Sequence, residues 1–308
     1  MKVYLDTAFL EAFENDIDTN NQSYKIVFDI LTKYPQVKIY SAISDETHEN
    51  PYSIKNKFQT LAGYYAAGDH IIEIENIEQT LLSNQFDADL IFMRNEKPWF
   101  TDAQKNGVLC FSFDNYKDKI SKILDDYHYK IDLTDQEYSF NWGKLKFLNP
   151  LNHLIIGDNY ILIDAINRKK EENLFKLLQE IKHCNNDDFS IDIYTIVQED
   201  KHDKNYSLNQ LENKVIPLRN ICSTNIINII SVKPIDFHDR VIISNFQLIE
   251  CGKGFNLIPH KPSNSQIISS TIFELYTYKR MLNLKKAYSN HYEKMKTNNP
   301  YFTTIYKV

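Results

Sequence analysis

Two groups of side chains in this 308-residue sequence have types and spacings suited to chemistry on phosphate. The first is His238-Asp239-Arg240, which leads into the apolar Val241-Ile242-Ile243, then Ser244-Asn245 and the turn Gly252-Lys253-Gly254. Side chains alternate along a strand, so His238 and Arg240 share a face. An imidazole can act as nucleophile or proton carrier near neutral pH, and a guanidinium grips phosphate oxygens in bidentate fashion. Only seven glycines occur in the chain, and two of them flank Lys253. Glycine lets backbone come close to a ligand, so this segment reads as a phosphate-binding corner. The second group is a set of acids where strands are expected to end. Asp6 follows Val3-Tyr4-Leu5, Glu46 follows Val37–Ala42, and Asp114 follows Val108–Phe113, with Asp102 upstream. Carboxylates converging at one end of a parallel sheet hold Mg²⁺ or Mn²⁺, and such a metal activates water against a phosphodiester. Acids in those positions also serve as helix N-caps.

The first group resembles the phospholipase D superfamily motif, His-x-Lys-x4-Asp-x6-Gly-Ser-x2-Asn. His238 stands at the histidine, Arg240 at the lysine, Asn245 at the aspartate, Gly252 at the glycine and Lys253 at the serine, with Asn256 in register with the later asparagine. In form the segment looks most like the phospholipase D-like domain found C-terminal to microtubule-interacting and trafficking domains. There a His-Asp-Arg strand leads into a Gly-Arg-Gly turn, and an earlier strand ends in Asp-x-Tyr, as Ile155-Ile156-Gly157-Asp158-Asn159-Tyr160 does here. The resemblance spans roughly residues 145–262. It implies a nucleophilic histidine acting on phosphorus, with two motifs facing each other. One motif is found here, so a complete site implies a homodimer. Asn245 in the aspartate position removes the charge that would orient the histidine, so the resemblance implies phosphate binding without cleavage. The alternative is a sheet end where His238 and Arg240 pair locally with Asp236, Asp239 or Glu250.

The second group, Asp6-Thr7, Glu46 and Asp114-Asn115-Tyr116, resembles a PIN nuclease domain. That family needs a third acid about one helix before the last strand. Asp102 lies only twelve residues before Asp114, and Asp87 and Asp89 are the alternatives, at the start of an apolar stretch with helical character. The resemblance implies a Mg²⁺- or Mn²⁺-dependent nuclease, or an inactive relative of one.

Charge is unevenly distributed. Residues 1–135 carry a net of −10, residues 136–260 a net of −2, and residues 261–308 a net of +6. Lys279-Arg280, Lys285-Lys286, Lys294 and Lys296 interleave with Tyr276, Tyr278, Tyr288 and Tyr292. That mixture suits nucleic acid or an anionic surface, and equally a solvated helix face. The 43% hydrophobic and 25% charged composition is that of a globular protein. No run of 18 apolar residues predicts a transmembrane helix, and Met1-Lys2-Val3-Tyr4-Leu5-Asp6 has no signal-peptide layout. Cys110, Cys184, Cys222 and Cys251 show no CxxC spacing, which predicts reduced thiols in a cytoplasmic protein.

The elements that must position these residues follow from periodicity. Strands are expected at Val3–Leu5, Val37–Ala42, His70–Glu75 and Val108–Phe113, with helices at Ala8–Asn15, around Ile26–Leu31 and at Lys117–Asp126. Strands alternating with helices predict a parallel sheet. A boundary is expected at about 140–145. Beyond it, strands are predicted at Leu154–Ile163, Ile191–Val197, Asn225–Val232 and in a hairpin over Phe237–Ile249. Helices are predicted at Glu171–His183, Leu208–Val215 and Gln266–Lys286. The fold expected is α/β: an N-terminal PIN-like, Rossmannoid parallel sheet (1–140), then a phospholipase D-like α/β domain (145–308). The function expected is phosphate or nucleic-acid binding, and the two resemblances together imply a multi-subunit bacterial defence or nucleic-acid-processing system. The alternatives are a metal-dependent nuclease and a protein-interaction scaffold.

Overall fold

The computed structural model describes residues 1–42, 70–134, 140–162, 172–184, 189–197, 218, 226–233, 237–255, 257, 263–298 and 303–307. The chain divides into two compact units. One comprises Met1–Asp125 with Phe273–Lys279, the other Asp126–Ile272 with Arg280–Val308.

The first unit is a five-stranded sheet made of β1 (Lys2–Leu5), β2 (Lys38–Ala42), β3 (Ile71–Ile74), β4 (Leu90–Met93) and β5 (Leu109–Ser112). Every pairing is parallel, and the order is β3-β2-β1-β4-β5. The order reverses between β1 and β4, which is where open α/β sheets place their sites. Among the described residues, five helices accompany the sheet: α1 (Thr7–Asn15), α2 (Gln22–Thr32), α3 (Ile77–Ser83), α4 (Phe100–Lys105) and α5 (Tyr116–Tyr127). Three of them start on a polar cap. Asp6 accepts from Ala8 N–H, Asn21 from Tyr24 N–H and Asn76 from Gln79 N–H, each at 3.0 Å. α2 buries Ile26, Val27, Ile30 and Leu31, the stripe that helical spacing gives.

The apolar stretch after Asp89 is strand β4, not the start of a helix. Leu90-Ile91-Phe92-Met93 is buried on both faces, so it carries neither a period of 2 nor one of 3.6.

The second unit is an eight-stranded mixed sheet. Its strands are β6 (Tyr129–Asp132), β7 (His153–Gly157), β8 (Ser190–Thr195), β9 (Ile226–Ser231), β10 (Val241–Ile243), β11 (Gln247–Cys251), β12 (Gln266–Thr271) and β13 (Thr303–Lys307). The order is β13-β9-β8-β7-β10-β11-β12-β6. β7, β8 and β9 run parallel, and the other neighbours are antiparallel. Helices α6 (Glu172–Cys184) and α7 (Leu275–Asn298) complete the described elements, and the first residues of α7 belong to the first unit.

The helix expected over Gln266–Lys286 starts later and runs on to Asn298. Gln266–Thr271 is a strand and the helix begins only at Leu275. The segment's burial alternates as β12 pairs with β11, and its β-branched isoleucines and threonine favour that extended state. The second compact unit begins at Asp126, since β6 pairs with β12 from the far end of the sequence. The predicted helix at 208–215 lies outside the described residues.

One sheet face carries the larger core, built from Leu154, Ile156, Ile191, Ile193, Ile227, Ile229, Ile242 and Ile249 against α6. Gln247 is buried inside β11 yet satisfied: it accepts from Leu148 N–H and donates to the Lys146 carbonyl and to Ser269 Oγ, each at 2.8 Å. Such a group holds its strand in one register, since a slip would bury it without partners.

Candidate phosphate-binding corner

The turn that follows β7 is built from polar side chains folded inward. Asp158 is almost fully buried, and its two oxygens accept from Tyr160 N–H (2.9 Å) and Phe255 N–H (2.6 Å). Its own N–H donates to the Tyr194 carbonyl of β8 at 3.0 Å. Asn159 donates from Nδ2 to the Phe237 carbonyl at 2.9 Å, and its carbonyl accepts from Ile196 N–H at 3.1 Å. One short turn is thereby joined to β8, to the segment before β10 and to the turn after β11.

Two glycines are required by close packing here. A Cβ on Gly157 would lie 1.9 Å from the Tyr288 hydroxyl of α7. Gly254 adopts φ +92°, and its Cβ would lie 2.7 Å from Asp158 Oδ2 and 2.8 Å from Arg240 Cδ. Tyr288 is itself fully buried, stacked on Phe237 with ring centroids 4.5 Å apart, and burial pushes its phenol pKa up.

Arg240 precedes β10 and pairs with the residue that ends β11: its carbonyl accepts from Cys251 N–H at 2.9 Å. The guanidinium donates from Nη1 to the Gly252 carbonyl, and its carbon lies 5.9 Å from the Tyr160 ring centroid. Its Nε is buried with no hydrogen-bond partner among the described residues, and the side chain forms no ion pair among them. The acids that could have neutralised it are engaged elsewhere. Arg280 of α7 contacts Asp239 at 2.9 Å and Glu250 at 3.2 Å. Burial works against the Arg280 charge, but these two carboxylates outweigh it and raise its pKa. His238 is exposed and bonds to no described residue. The Cys251 thiol is buried, donates to the Gly254 carbonyl at 3.0 Å and is pushed up in pKa by burial, so it is an inert part of the turn.

The fold therefore brings together His238, Arg240, Gly252, Lys253 and Gly254 with the Asp158-Asn159-Tyr160 turn. It does not bring Asn245. That residue lies past the other end of β10, where it accepts from Asn152 N–H (3.2 Å) and His153 N–H (3.3 Å) and donates to Asn152 Oδ1 (2.8 Å). Asn245 fastens a hairpin and cannot orient His238. Asn256 lies outside the described residues.

The acids of the first unit are used differently. Asp6 caps α1 with one oxygen, and the other accepts from Arg94 N–H at 3.1 Å. Asp114 is exposed and faces the Arg94 guanidinium at 3.4 Å, which in turn lies 4.6 Å from the Phe113 ring centroid. Asp102, in the first turn of α4, pairs with Lys105 at 3.3 Å. Cations thus stand beside two of the three acids, Arg94 at Asp114 and Lys105 at Asp102. Among the described residues, no three His, Cys, Asp or Glu side chains form a metal-holding group, and Glu46 lies outside those residues.

Compared with protein-family models, curated proteins and solved structures, the chain matches none. Its assignment rests on its own geometry. No described helix is long and apolar enough to cross a membrane.

A third polar group was not legible in the sequence. His153 Nε2 lies 3.1 Å from Asp192 Oδ2, and Asn228 Nδ2 donates to Asp192 Oδ1 at 2.6 Å. Burial pushes the Asp192 carboxyl up in pKa, but the bonds from His153 and Asn228 more than offset this and leave it lowered. The one available signal was the alternation Ile191-Asp192-Ile193, which turns Asp192 to the face opposite the isoleucine core.

Proposed function

We propose that the second unit binds a phosphate-bearing ligand at the Arg240 corner without cleaving it. It would do so as a phospholipase D-like domain whose motif has lost its catalytic partner. The observation that carries the reading is Arg240 itself. Two separate chain segments, the Gly252–Gly254 turn and Tyr160, lie against its side chain, and Arg280 occupies both neighbouring acids, Asp239 and Glu250. A planar donor with part of its fork unspent is suited to phosphate oxygens. Exposed His238 and the adjacent Gly-Lys-Gly turn add donors of the right kind. Cleavage is not part of the reading, because among the described residues no carboxylate bonds His238 to set its tautomer, and Asn245 is committed to the far hairpin. The corner is consistent with a role in a nucleic-acid-processing or defence assembly, where binding and cleavage can reside on different chains.

The test is a fluorescence-anisotropy titration of labelled single-stranded DNA and RNA, with inorganic polyphosphate as competitor. Arg240→Ala is expected to weaken binding about tenfold or more, the scale of a charge-assisted hydrogen bond, and Arg240→Lys to recover part of it. Affinity unchanged in Arg240→Ala would sink the reading. Cleavage assays with Mn²⁺ and with EDTA belong beside it, and none is expected. Cleavage abolished by His238→Ala would show an active motif, and cleavage abolished by Asp6→Ala would move the activity to the first unit.

A further inference from the structure

The corner presents an aromatic ring as well as a cation. Tyr160 is 42% exposed, and among the described residues of the second unit the only other large hydrophobic side chain so exposed is Ile268. Tyr160 is the one aromatic of the pair, and the Arg240 guanidinium carbon lies over its ring, 5.9 Å from the centroid. Its backbone is fixed, since its N–H donates to buried Asp158. The residue before it, Asn159, bonds to the residue before His238, Phe237. The ring, the imidazole and the guanidinium therefore emerge from two segments locked to each other.

A ligand that is only phosphate makes no use of an exposed aromatic ring. A nucleotide does, because every base has a π face that stacks on an aromatic side chain while its phosphate meets a cation. In a duplex the bases stack on one another and offer no free face to a lone ring.

Resting on the phosphate-binding reading above, we infer that the ligand is single-stranded nucleic acid, one nucleotide of which seats with its base on Tyr160 and its phosphate on Arg240. Recognition of this kind is tolerant of sequence, because stacking needs only the base face.

The experiment compares a short labelled oligothymidylate with an abasic phosphodiester strand of the same length, using the full chain. The variants are Tyr160→Ala, Tyr160→Phe, Tyr160→Leu and Arg240→Ala. Tyr160→Leu keeps an apolar side chain but removes the π face, and thermal unfolding of each variant reports folding separately. Oligothymidylate binding is expected to fall about tenfold in Tyr160→Ala and in Tyr160→Leu, and to be kept in Tyr160→Phe. The abasic strand is expected to bind more weakly to the wild type and to be indifferent to every Tyr160 variant. Equal binding of the two strands by the wild type, or equal loss of both in Tyr160→Ala, overturns the stacking inference and leaves phosphate binding standing. Binding of both strands that is unaffected by Arg240→Ala, or no binding of either, removes the phosphate reading and this inference with it.

Discussion

The two sheets handle polar groups in opposite ways. In the first unit the fully buried polar side chains described are hydroxyls alone, Ser23, Ser112 and Thr277. Its acids sit at strand ends, where Asp6 caps a helix and Asp114 meets Arg94 near solvent. In the second unit a carboxylate and several amides are buried, among them Asp158, Asn159, Asn173 and Gln247. Burying such groups is unfavourable unless each is satisfied, so they persist only where they hold something in place. Asp158 and Asn159 hold the turn beside Arg240, and Gln247 holds the register of β11. The first sheet keeps its described acids for capping and surface pairing, and the second buries hydrogen-bonded polar groups beside Arg240.

The contrast can be broken by substitution, and the largest effect is expected inside the corner. Gly254→Ala meets both a left-handed φ and a clash with Asp158 and Arg240. We expect a loss of about 3 kcal/mol in chemical denaturation, together with loss of ligand binding. A well-folded Gly254→Ala protein of normal stability would mean that the turn is looser than described.

Asp192→Asn is expected to follow, at about 2 kcal/mol, because it replaces an acceptor serving His153 and Asn228 inside the second sheet. The sign of its pH dependence is fixed by the lowered pKa. The stability contributed by Asp192 is present above the ordinary carboxyl range and is lost as pH falls through the depressed value, below about 4. Urea midpoints measured from pH 7 downward should therefore converge for wild type and Asp192→Asn at the acid end.

Smaller effects are expected in the first unit. Asp6→Ala removes the α1 cap and the bond from Arg94 N–H, for a loss of about 1 kcal/mol by thermal unfolding. Asp114→Ala breaks only an exposed ion pair and should leave stability within about 0.5 kcal/mol. A large loss in Asp114→Ala would place this unit's carboxyl-end corner on the same footing as the Arg240 corner and erase the contrast.

Much of the fold was legible because its signals are local. β1, α1, α2, β5 and α5 follow from apolar periodicity with Asp6 and Asn21 as caps, and β7, α6, β8 and the β10–β11 hairpin from runs bounded by turn residues. β4 escaped because a strand buried on both faces has no period. β12 was mistaken for helix because Ile268, Ile272 and Leu275 also fall at helical spacing, and only pairing with β11 and β6 chooses between the two. At the site, His238, Arg240 and the Gly-Lys-Gly turn were legible from residue type and spacing. Nothing local shows that Arg280, forty residues on, takes Asp239 and Glu250 away from Arg240.

By itself, then, the sequence determined which segments are helix or strand wherever periodicity and caps agree, and which residue types are available to meet a phosphate. Those are properties of neighbours along the chain, set by backbone sterics and amphipathic spacing. Tertiary structure alone decided which charges remain unspent. Asp158 is turned inward to the Phe255 N–H, Arg94 is set against Asp114, and Asn245 is drawn to the far hairpin. Each of these is settled by a partner distant in sequence, because electrostatic and hydrogen-bond satisfaction depend on distance in space.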